Sequence, residues 1–366
     1  MIARRQFIQS FLTALAALTL PSASKALPAV YKTPLPLEPR HEEFPTTSEE
    51  VFTTDKQIKV IGVGGAGCNT VHYMIASDLQ GVEFICVSTD AQSLTNSSAD
   101  KTIQLGCSGL GTGSRVDLGC DAANETEEAL RAAIEGADML FITAGLGGGT
   151  GTGAAPVIAR IAKDMGILTV GVVIMPFAFE GERRSSNAEV GLIALQANAD
   201  SLIVIPNENL LEILGDEVTL ELAFGYVNDQ LKNAIGGIVD VINASAVSVD
   251  FIDVCTIMGG VGRAATGTAL ASGPLRARIT AEQALACPLM EGLELSGATG
   301  VMVLITASKN NLKLSESRLV MDIVRAQVSP DAQEIYGMTY DESLNDEIRV
   351  TVVTTGLSSS MGSGTS

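Results

Sequence analysis

A run of glycines and threonines at 144–153 has the composition of a loop that holds a phosphate. It follows an apolar stretch at 139–143 and precedes small and apolar residues at helical spacing over 154–163. A strand, a glycine loop and a helix in this order aim backbone N–H groups and a positive helix end at one anion, and glycine lets a phosphate approach the backbone. No Gly-Lys-Ser/Thr follows, so this is not a Walker loop, and the alternative is a Gly-rich linker. The candidate phosphate-binding residues are Gly148, Gly149, Thr150, Gly151 and Thr152.

A second glycine cluster follows the apolar run 58–63, which has the pattern of a short buried strand. Residues 62–67 fit G-x-G-x-x-G, and a helix is expected to follow from about Thr70. That pattern alone also fits the dinucleotide site of a Rossmann oxidoreductase, which stays open as an alternative. The presence of a further phosphate-cradling loop at 147–153 favours a triphosphate. The candidate ligand-binding residues of this cluster are Gly65, Ala66, Gly67, Cys68 and Asn69.

Polar residues follow two more predicted strands, at the end where α/β sheets bind ligands. Asp90 follows the strand 82–87, and an acid there holds a ribose in dehydrogenases or faces phosphate-bound magnesium or water in other nucleotide folds. After the strand 167–174, Glu180 can accept from ribose hydroxyls and Arg184 can reach a phosphate or a sugar; the alternative is a solvated charged turn. A third glycine cluster lies at 109–113 and is either an ordinary turn or a loop that closes over a terminal phosphate. Its candidate ligand-binding residues are Gly111, Thr112 and Gly113.

A long amphipathic helix is predicted from about 220 to 243. Phe224 and Asn228 are four residues apart near its start and share a face, so the ring can stack on a base and the amide can read its edge. The alternative for this pair is a core residue and a cap. Asp250 and Asp253 lie three apart at a predicted helix start, where their spacing by itself indicates capping and dipole complementarity.

Length and composition exclude several classes of function. The chain has 366 residues, is 46% hydrophobic and carries a net charge of −19, which fits an α/β protein of two domains and argues against nonspecific nucleic-acid or anionic-membrane binding. Its six cysteines form no C-x-x-C pair, so we expect free thiols and no metal site. Neither histidine neighbours a Ser or Cys in a nucleophile motif, so histidine-based catalysis is not expected. Apolar, β-branched runs at 301–306 and 349–355 predict a second α/β domain with its own sheet.

Residues 1–50 differ from the rest of the chain. Arg4 and Arg5 precede an apolar stretch at 11–20, which is similar to a twin-arginine export signal, and the lack of any acid before Glu38 is similar to a transit peptide. The apolar stretch is too short to span a bilayer. The alternative is an uncleaved extension or a misplaced start codon. We favour that alternative and predict a cytoplasmic protein, because a nucleoside triphosphatase needs a compartment that contains its nucleotide.

Together these motifs resemble the tubulin/FtsZ superfamily, and within it the bacterial FtsZ family of division-ring GTPases. The resemblance covers about 57–357. Residues 147–153 match the superfamily's phosphate loop in full, and 61–69 match its first glycine loop. Residues 176–181 with Arg184 match its ribose segment. Phe224 and Asn228 then take the guanine-stacking and guanine-reading places, with Asn207 also near the base.

The resemblance implies a fold, a reaction and partners. It implies a Rossmann-like GTPase domain with a parallel sheet, a long central helix and a smaller second α/β domain. The ligand would be GTP or GDP, with Mg²⁺ carried by the nucleotide. Asp250 and Asp253 would project into the nucleotide pocket of the next subunit and position the attacking water. Such head-to-tail contacts do not close and make filaments. The family's filaments form the division ring at midcell and work with other division proteins.

The predicted parts of the chain are a flexible extension at 1–55, a GTP-binding domain at 56–220, the central helix at 221–245, a C-terminal α/β domain at 246–357 and a disordered tail at 358–366.

The sequence departs from the family pattern at several places. Ser88 stands where the family has asparagine, Ile174 where threonine is frequent, and Ser248 replaces the asparagine before the first catalytic acid; residues 243–247 also differ. Because the sequence ends at Ser366, we expect the family's long linker and adaptor-binding peptide to be absent. These departures support an alternative function: a divergent GTP-binding regulatory or structural subunit that co-assembles with or caps FtsZ filaments and hydrolyses little GTP.

Overall fold

In the described part of the chain, ten strands form one sheet in the order β3-β2-β1-β4-β5-β6-β7-β10-β8-β9. The computed structural model describes residues 56–208, 218–244, 246–247, 249–260, 262–287, 290 and 293–357. The predicted extension at 1–55 and the predicted tail at 358–366 therefore lie outside the described residues, as does Ser248.

The strands are β1 (Ile58–Val63), β2 (Glu83–Ser88), β3 (Lys101–Gln104), β4 (Met139–Gly145), β5 (Leu168–Met175), β6 (Ser201–Pro206), β7 (Arg263–Ser272), β8 (Gly300–Ala307), β9 (Gln333–Tyr340) and β10 (Glu347–Leu357). The α-helices of the described part are α1 (Gly64–Ala76), α2 (Val116–Glu125), α3 (Glu127–Ile134), α4 (Thr150–Asp164), α5 (Glu182–Gln196), α6 (Leu220–Ile242), α7 (Phe251–Met258), α8 (Arg276–Leu285) and α9 (Leu314–Arg325).

The first six strands are all parallel, and β1 is buried along its whole length. A parallel sheet is covered by helices on both faces, which explains why its strands were recognisable as continuous apolar runs. Val63 pairs with Ala144, and Gly145 pairs with Ile174, so β1, β4 and β5 end side by side. We call this end of the strands the carboxyl edge, and the end where β1 and β2 begin the amino edge. The predicted α/β class with a parallel sheet is confirmed.

The expectation of a separate second sheet is wrong. Strand β7 runs parallel to β6 and continues the sheet through two register pairs, Leu202 with Arg263 and Ile203 with Ala264. Beyond it, β10 lies antiparallel between β7 and β8, and β9 closes the order. Strand β7 was missed because half of its ten residues are alanine or glycine, which are depleted in strands.

The central helix α6 was predicted almost to its ends. The Thr219 hydroxyl accepts a hydrogen bond from the backbone N–H of Leu222 and caps it. Its apolar stripe shares one core cluster with β1 and α1 from the first half of the chain and with β8 and β10 from the second. The helix therefore packs on both halves of the sheet. No helix in the described residues is both long and apolar enough to cross a bilayer.

Candidate nucleotide site

A cavity of about 610 Å³ opens at the carboxyl edge of the sheet, where β1, β4 and β5 end. This volume suits a ligand of nucleotide size. Eleven of the predicted ligand-binding residues line it: Gly65, Ala66, Asn69, Gly148, Gly149, Thr150, Gly151, Glu180, Arg184, Phe224 and Asn228. Residues separated by more than 150 positions in the sequence thus meet in one place.

Two helix N-termini point their free N–H groups at this cavity. Helix α1 begins at Gly64, directly after β1, and α4 begins at Thr150. Neither has an acidic residue in its first turn, whereas the first turns of α5 and α6 contain Glu182 and Glu221. The positive ends of α1 and α4 are therefore left for an external anion, and their first-turn N–H groups supply the hydrogen bonds. Helix α1 begins earlier than the predicted Thr70, because the glycine cluster itself forms its first turn.

The glycines of the loops have two different roles. A Cβ at Gly65 or Gly148 would have no atom within 4 Å, so these positions leave open space for a ligand. A Cβ at Gly149 would lie 2.1 Å from Oγ1 of Thr112, and one at Gly151 would lie 2.5 Å from the carbonyl oxygen of Gly145. The expectation that the glycines all serve phosphate approach therefore needs correction: Gly149 and Gly151 are required because the protein packs on itself there.

The hydroxyl groups near the loop also divide into two kinds. Oγ1 of Thr150 lines the cavity and lies 2.6 Å from Oγ1 of Thr89. Oγ1 of Thr152 is buried and accepts a hydrogen bond from the N–H of Gly147 at 2.8 Å, so it closes the loop from inside. Thr112 is buried and packs against Gly149 of the same loop.

The remaining predicted residues do not line the cavity: Gly67, Cys68, Asp90, Gly111, Thr112, Gly113, Thr152 and Asn207. The Cys68 thiol is buried and donates to the carbonyl oxygen of Gly62 at 3.6 Å; the neighbouring Cys86 thiol and burial raise the pKa of Cys68, so it stays neutral. The Asp90 carboxylate accepts from the N–H of Gln92 at 3.0 Å. For all eight of these residues, contact with a ligand remains a prediction.

Asn207 lies directly after β6 and is 2% exposed. Its Oδ1 has no hydrogen-bond partner within the described residues. A buried amide oxygen of this kind is free to accept a hydrogen bond from a ligand or a water.

The segment after β5 brings a carboxylate and a guanidinium to the rim of the cavity. Glu180 accepts from the backbone N–H of Phe177 at 3.0 Å through Oε1 and from Arg184 at 2.5 Å through Oε2. Arg184 lies in α5, a helix that the sequence analysis did not predict because it begins with charged and serine residues. The arrangement offers both an acceptor for sugar hydroxyls and a cation for phosphate.

An aromatic ring and an amide face the cavity from α6. Phe224 is 45% exposed, and the buried ring of Phe177 meets it edge to face, with 6.0 Å between centroids and 71° between planes. Phe177 in turn stacks on Phe179 at 5.0 Å. Asn228 lies one helical turn after Phe224 and lines the same cavity. The predicted pair is brought together at the cavity, with the Phe224 ring partly exposed.

Asp250 and Asp253 lie at the opposite edge of the sheet. The Asp250 carboxylate accepts from the N–H of Ile252 at 3.0 Å and caps α7, and both aspartates are exposed. The ammonium of Lys56, which precedes β1, sits 5.0 Å from the ring centroid of Phe251. The cavity begins where β1 ends, six residues further on, so the length of the strand, about 20 Å, separates the aspartates from the cavity. Within one chain, Asp250 and Asp253 therefore cannot reach a ligand that is bound in the cavity.

Several residues that line the cavity were not predicted from the sequence, above all Thr70. Its position one helical turn after Ala66 places it on the same face of α1, which is the signal that could have identified it. In the described part of the chain no group of three or more His, Cys, Asp or Glu side chains is placed to hold a metal ion.

Comparisons with known proteins found matching family models, sequences and solved structures. Residues 57–215 match the Tubulin/FtsZ family GTPase domain, and residues 262–358 match the FtsZ family C-terminal domain. The cell division protein FtsZ of Wigglesworthia glossinidia brevipalpis is 48% identical over 84% of this chain and 80% of its own length. That of Pseudomonas aeruginosa is 49% identical over 82% of this chain and 77% of its own length. Among solved structures, an empty FtsZ dimer of M. jannaschii superposes with a TM-score of 0.76 and 41% identity, covering 82% of this chain and 88% of that one.

Proposed function

The chain belongs to the tubulin/FtsZ family, and from that membership we propose how its site works. It is a GTP-binding, GTP-hydrolysing protein of cell division that polymerises. The comparisons favour this function over that of a regulatory subunit with little hydrolysis.

The cavity at the carboxyl edge is the proposed GTP site. The observation that carries this assignment is the pair of helix N-termini, α1 and α4, that reach the cavity without an acidic residue in their first turns. They hold the phosphates, with Gly65 and Gly148 leaving room for them. Glu180 and Arg184 hold the ribose and the adjoining phosphate. Guanine stacks on Phe224 and is read by Asn228, with Asn207 nearby.

The residues around the phosphates suit a magnesium ion that arrives with the nucleotide. Mg²⁺ prefers oxygen ligands and keeps several waters, so phosphate oxygens and the hydroxyl of Thr150 can hold it without a carboxylate cage. When bound, it would neutralise charge that develops on the phosphates.

We propose that hydrolysis requires a second copy of the chain. Asp250 and Asp253 of one subunit enter the cavity of the next, where their carboxylates orient the attacking water. Hydrolysis of a phosphoanhydride depends on positioning and charge stabilisation rather than on covalent catalysis. Because the cavity and the aspartates lie at opposite edges, subunits that meet in this way form a head-to-tail filament.

The proposed setting is the cytoplasmic division ring at midcell, together with other division proteins. The proposed organisation of the chain keeps the boundaries stated above: GTP-binding residues over 56–220, the central helix over 221–245 and the C-terminal domain over 246–357.

The test is GTP turnover per subunit as a function of the concentration of the full chain, with Asp250→Ala alongside. A shared site predicts turnover that rises with concentration and collapses in the variant, while GDP still binds. Turnover per subunit that stays flat with concentration would remove the shared-site mechanism.

A further inference from the structure

Thr70 connects the phosphate-binding helix to the residue proposed to read the base. Its side chain is fully buried in α1. Its Oγ1 lies 3.0 Å from Oδ1 of Asn228 in α6 and 3.1 Å from the carbonyl oxygen of Ala66. Both α1 and α6 contribute to the wall of the cavity, and Thr70 lies where they touch.

The two short distances cannot both be hydrogen bonds to carbonyl-type oxygens. A hydroxyl has a single proton, so either Ala66 O or Asn228 Oδ1 would be left without it. The backbone oxygen of Ala66 already accepts the helical N–H of Thr70, so with Oδ1 of Asn228 toward Thr70 only one of the two short contacts is a side-chain hydrogen bond. Rotating the Asn228 amide by 180° exchanges Oδ1 and Nδ2 with almost no change of shape. Nδ2 then donates to Oγ1 of Thr70, and Thr70 donates to the backbone oxygen of Ala66, so that both short contacts are hydrogen bonds.

This orientation turns the oxygen of Asn228 away from Thr70 and toward the ligand. Guanine carries hydrogen-bond donors at N1 and at its 2-amino group. Adenine has an acceptor at N1 and no 2-amino group. An amide oxygen therefore attracts guanine and repels adenine, whereas an amide nitrogen in the same place would not.

We propose that Thr70 is a positioning residue that determines nucleobase specificity: it fixes the Asn228 amide with its oxygen toward guanine. The inference rests on the proposed function, in which Asn228 reads the base.

The test compares Thr70→Val, which removes the hydroxyl but keeps the shape, with Thr70→Ser, which restores it. The measurement is the ratio of the Kd for ADP to the Kd for GDP, by calorimetry on the nucleotide-free full chain. We expect Thr70→Val to lower this ratio about tenfold, the effect of one net hydrogen bond, and Thr70→Ser to retain it.

Tyr73→Phe is the matched control. Tyr73 lies one turn further along α1, and its hydroxyl donates to Asp229 at 2.5 Å, so this variant removes a neighbouring bond between α1 and α6 without touching Asn228. It should leave the ratio unchanged. An unchanged ratio in Thr70→Val, or an equal loss in Tyr73→Phe, overturns the proposal.

Asn228→Asp supplies a second control. Both oxygens of a carboxylate are acceptors, so no orientation has to be fixed, and adding Thr70→Val to Asn228→Asp should leave the ratio unchanged. An effect of Thr70→Val that is as large in this background as in the wild type overturns the proposal. If Thr70→Val does not fold, wild-type binding of IDP, which keeps N1–H, decides: IDP must bind more tightly than ADP, and equal binding overturns the proposal.

The failure of the proposed function has a different signature. A wild-type chain without preference for guanine, or an Asn228→Ala variant that keeps the preference, would remove the base assignment itself. A preference that is lost in Asn228→Ala and kept in Thr70→Val would remove only the role of Thr70.

Discussion

The two edges of the sheet carry opposite kinds of residues, although the same strands run between them. The carboxyl edge presents glycines, hydroxyls and two helix N-termini without acids. The amino edge is charged: Asp250 and Asp253 are exposed there, and the buried ammonium of Lys59 donates to the carbonyl oxygens of Ala133 and Glu135 at 2.9 Å each.

This difference indicates that the two edges have separate roles in the proposed reaction, phosphate binding at the carboxyl edge and orientation of the attacking water at the amino edge. The two helix N-termini that would hold the triphosphate carry no acidic side chain, because like charges repel, and Glu180 at the rim of the cavity is paired with Arg184. Orienting the attacking water calls for carboxylates nearby. The chain separates the two requirements by the length of a strand, and they are combined only where the carboxyl edge of one copy meets the amino edge of another.

The largest expected effect comes from the amino edge. Asp250→Ala and Asp253→Ala should each lower kcat for GTP by about 100-fold or more, because each removes a group that acts on the transition state. The Kd for GDP should stay within about twofold of the wild type, since the cavity is distant. Phosphate release and GDP binding measure the two quantities.

Glu189→Ala is the control for those variants, since Glu189 is an exposed acid in the middle of α5, at neither edge. Glu189→Ala should change neither kcat for GTP nor the Kd for GDP. Loss of GDP binding in Asp250→Ala would show that the two edges are not functionally separate.

A substitution at the carboxyl edge should have the converse effect. Gly148→Val places a side chain in open space, so the fold should tolerate it while the Kd for GDP rises about 100-fold. Gly148→Ala should lie between the wild type and this variant. Calorimetry measures the Kd for GDP, and a thermal melt measures the stability of the variant. If a fall in Tm accounts for the lost binding, Gly148 does not act by leaving room for phosphate.

The base end of the same edge should be less sensitive. Phe224→Leu should weaken GDP binding about tenfold, because base stacking on an aromatic ring contributes about 1–3 kcal/mol. Phe224→Tyr keeps the ring and should bind as the wild type does. If the leucine variant binds GDP equally well, the ring is not a stacking platform.

The smallest effect concerns stability at the amino edge. Burial alone would raise the pKa of Glu83, but hydrogen bonds from Lys101 and Lys59 outweigh it and hold that pKa below its usual 4.5. The ion pairs therefore stabilise the fold fully above pH 4.5, and this contribution is lost as the pH falls through the folded-state pKa. Glu83→Gln should cost about 1.5 kcal/mol at neutral pH, and less in acid.

Urea unfolding between neutral and acid pH measures this difference. Glu189→Gln, which changes an exposed acid, should show a difference from the wild type that hardly varies with pH. GDP affinity should be unchanged in both variants. A cost of Glu83→Gln that is constant with pH would show that the carboxylate charge is not what stabilises this edge.

Much of the fold could be predicted because its central elements have strong patterns. The strands at 58–63 and 139–145 and the helix at 220–242 are apolar at the period of their element. Helix α2 escaped prediction because it follows the third glycine cluster so closely, and β9 because glycine and polar residues interrupt it. Packing between neighbours, rather than local preference, decides such segments.

The candidate site was predictable where a motif is local and not where contacts are distant. The glycine loops are contiguous in sequence, and Phe224 and Asn228 share a helix face, so their spacing was informative. The inward position of Thr152 depends on a hydrogen bond from Gly147, which composition does not indicate. The contact between Thr70 and Asn228 joins residues 158 positions apart and required the fold.

The narrow junction between β6 and β7 has a mechanical consequence. Among the described residues only two residue pairs join these strands, whereas each other neighbouring pair of strands shares four or more. Tension applied across the sheet would concentrate on those few hydrogen bonds, and shear between the halves would begin there. The central helix α6 packs on both sides of the junction and would therefore resist this shear.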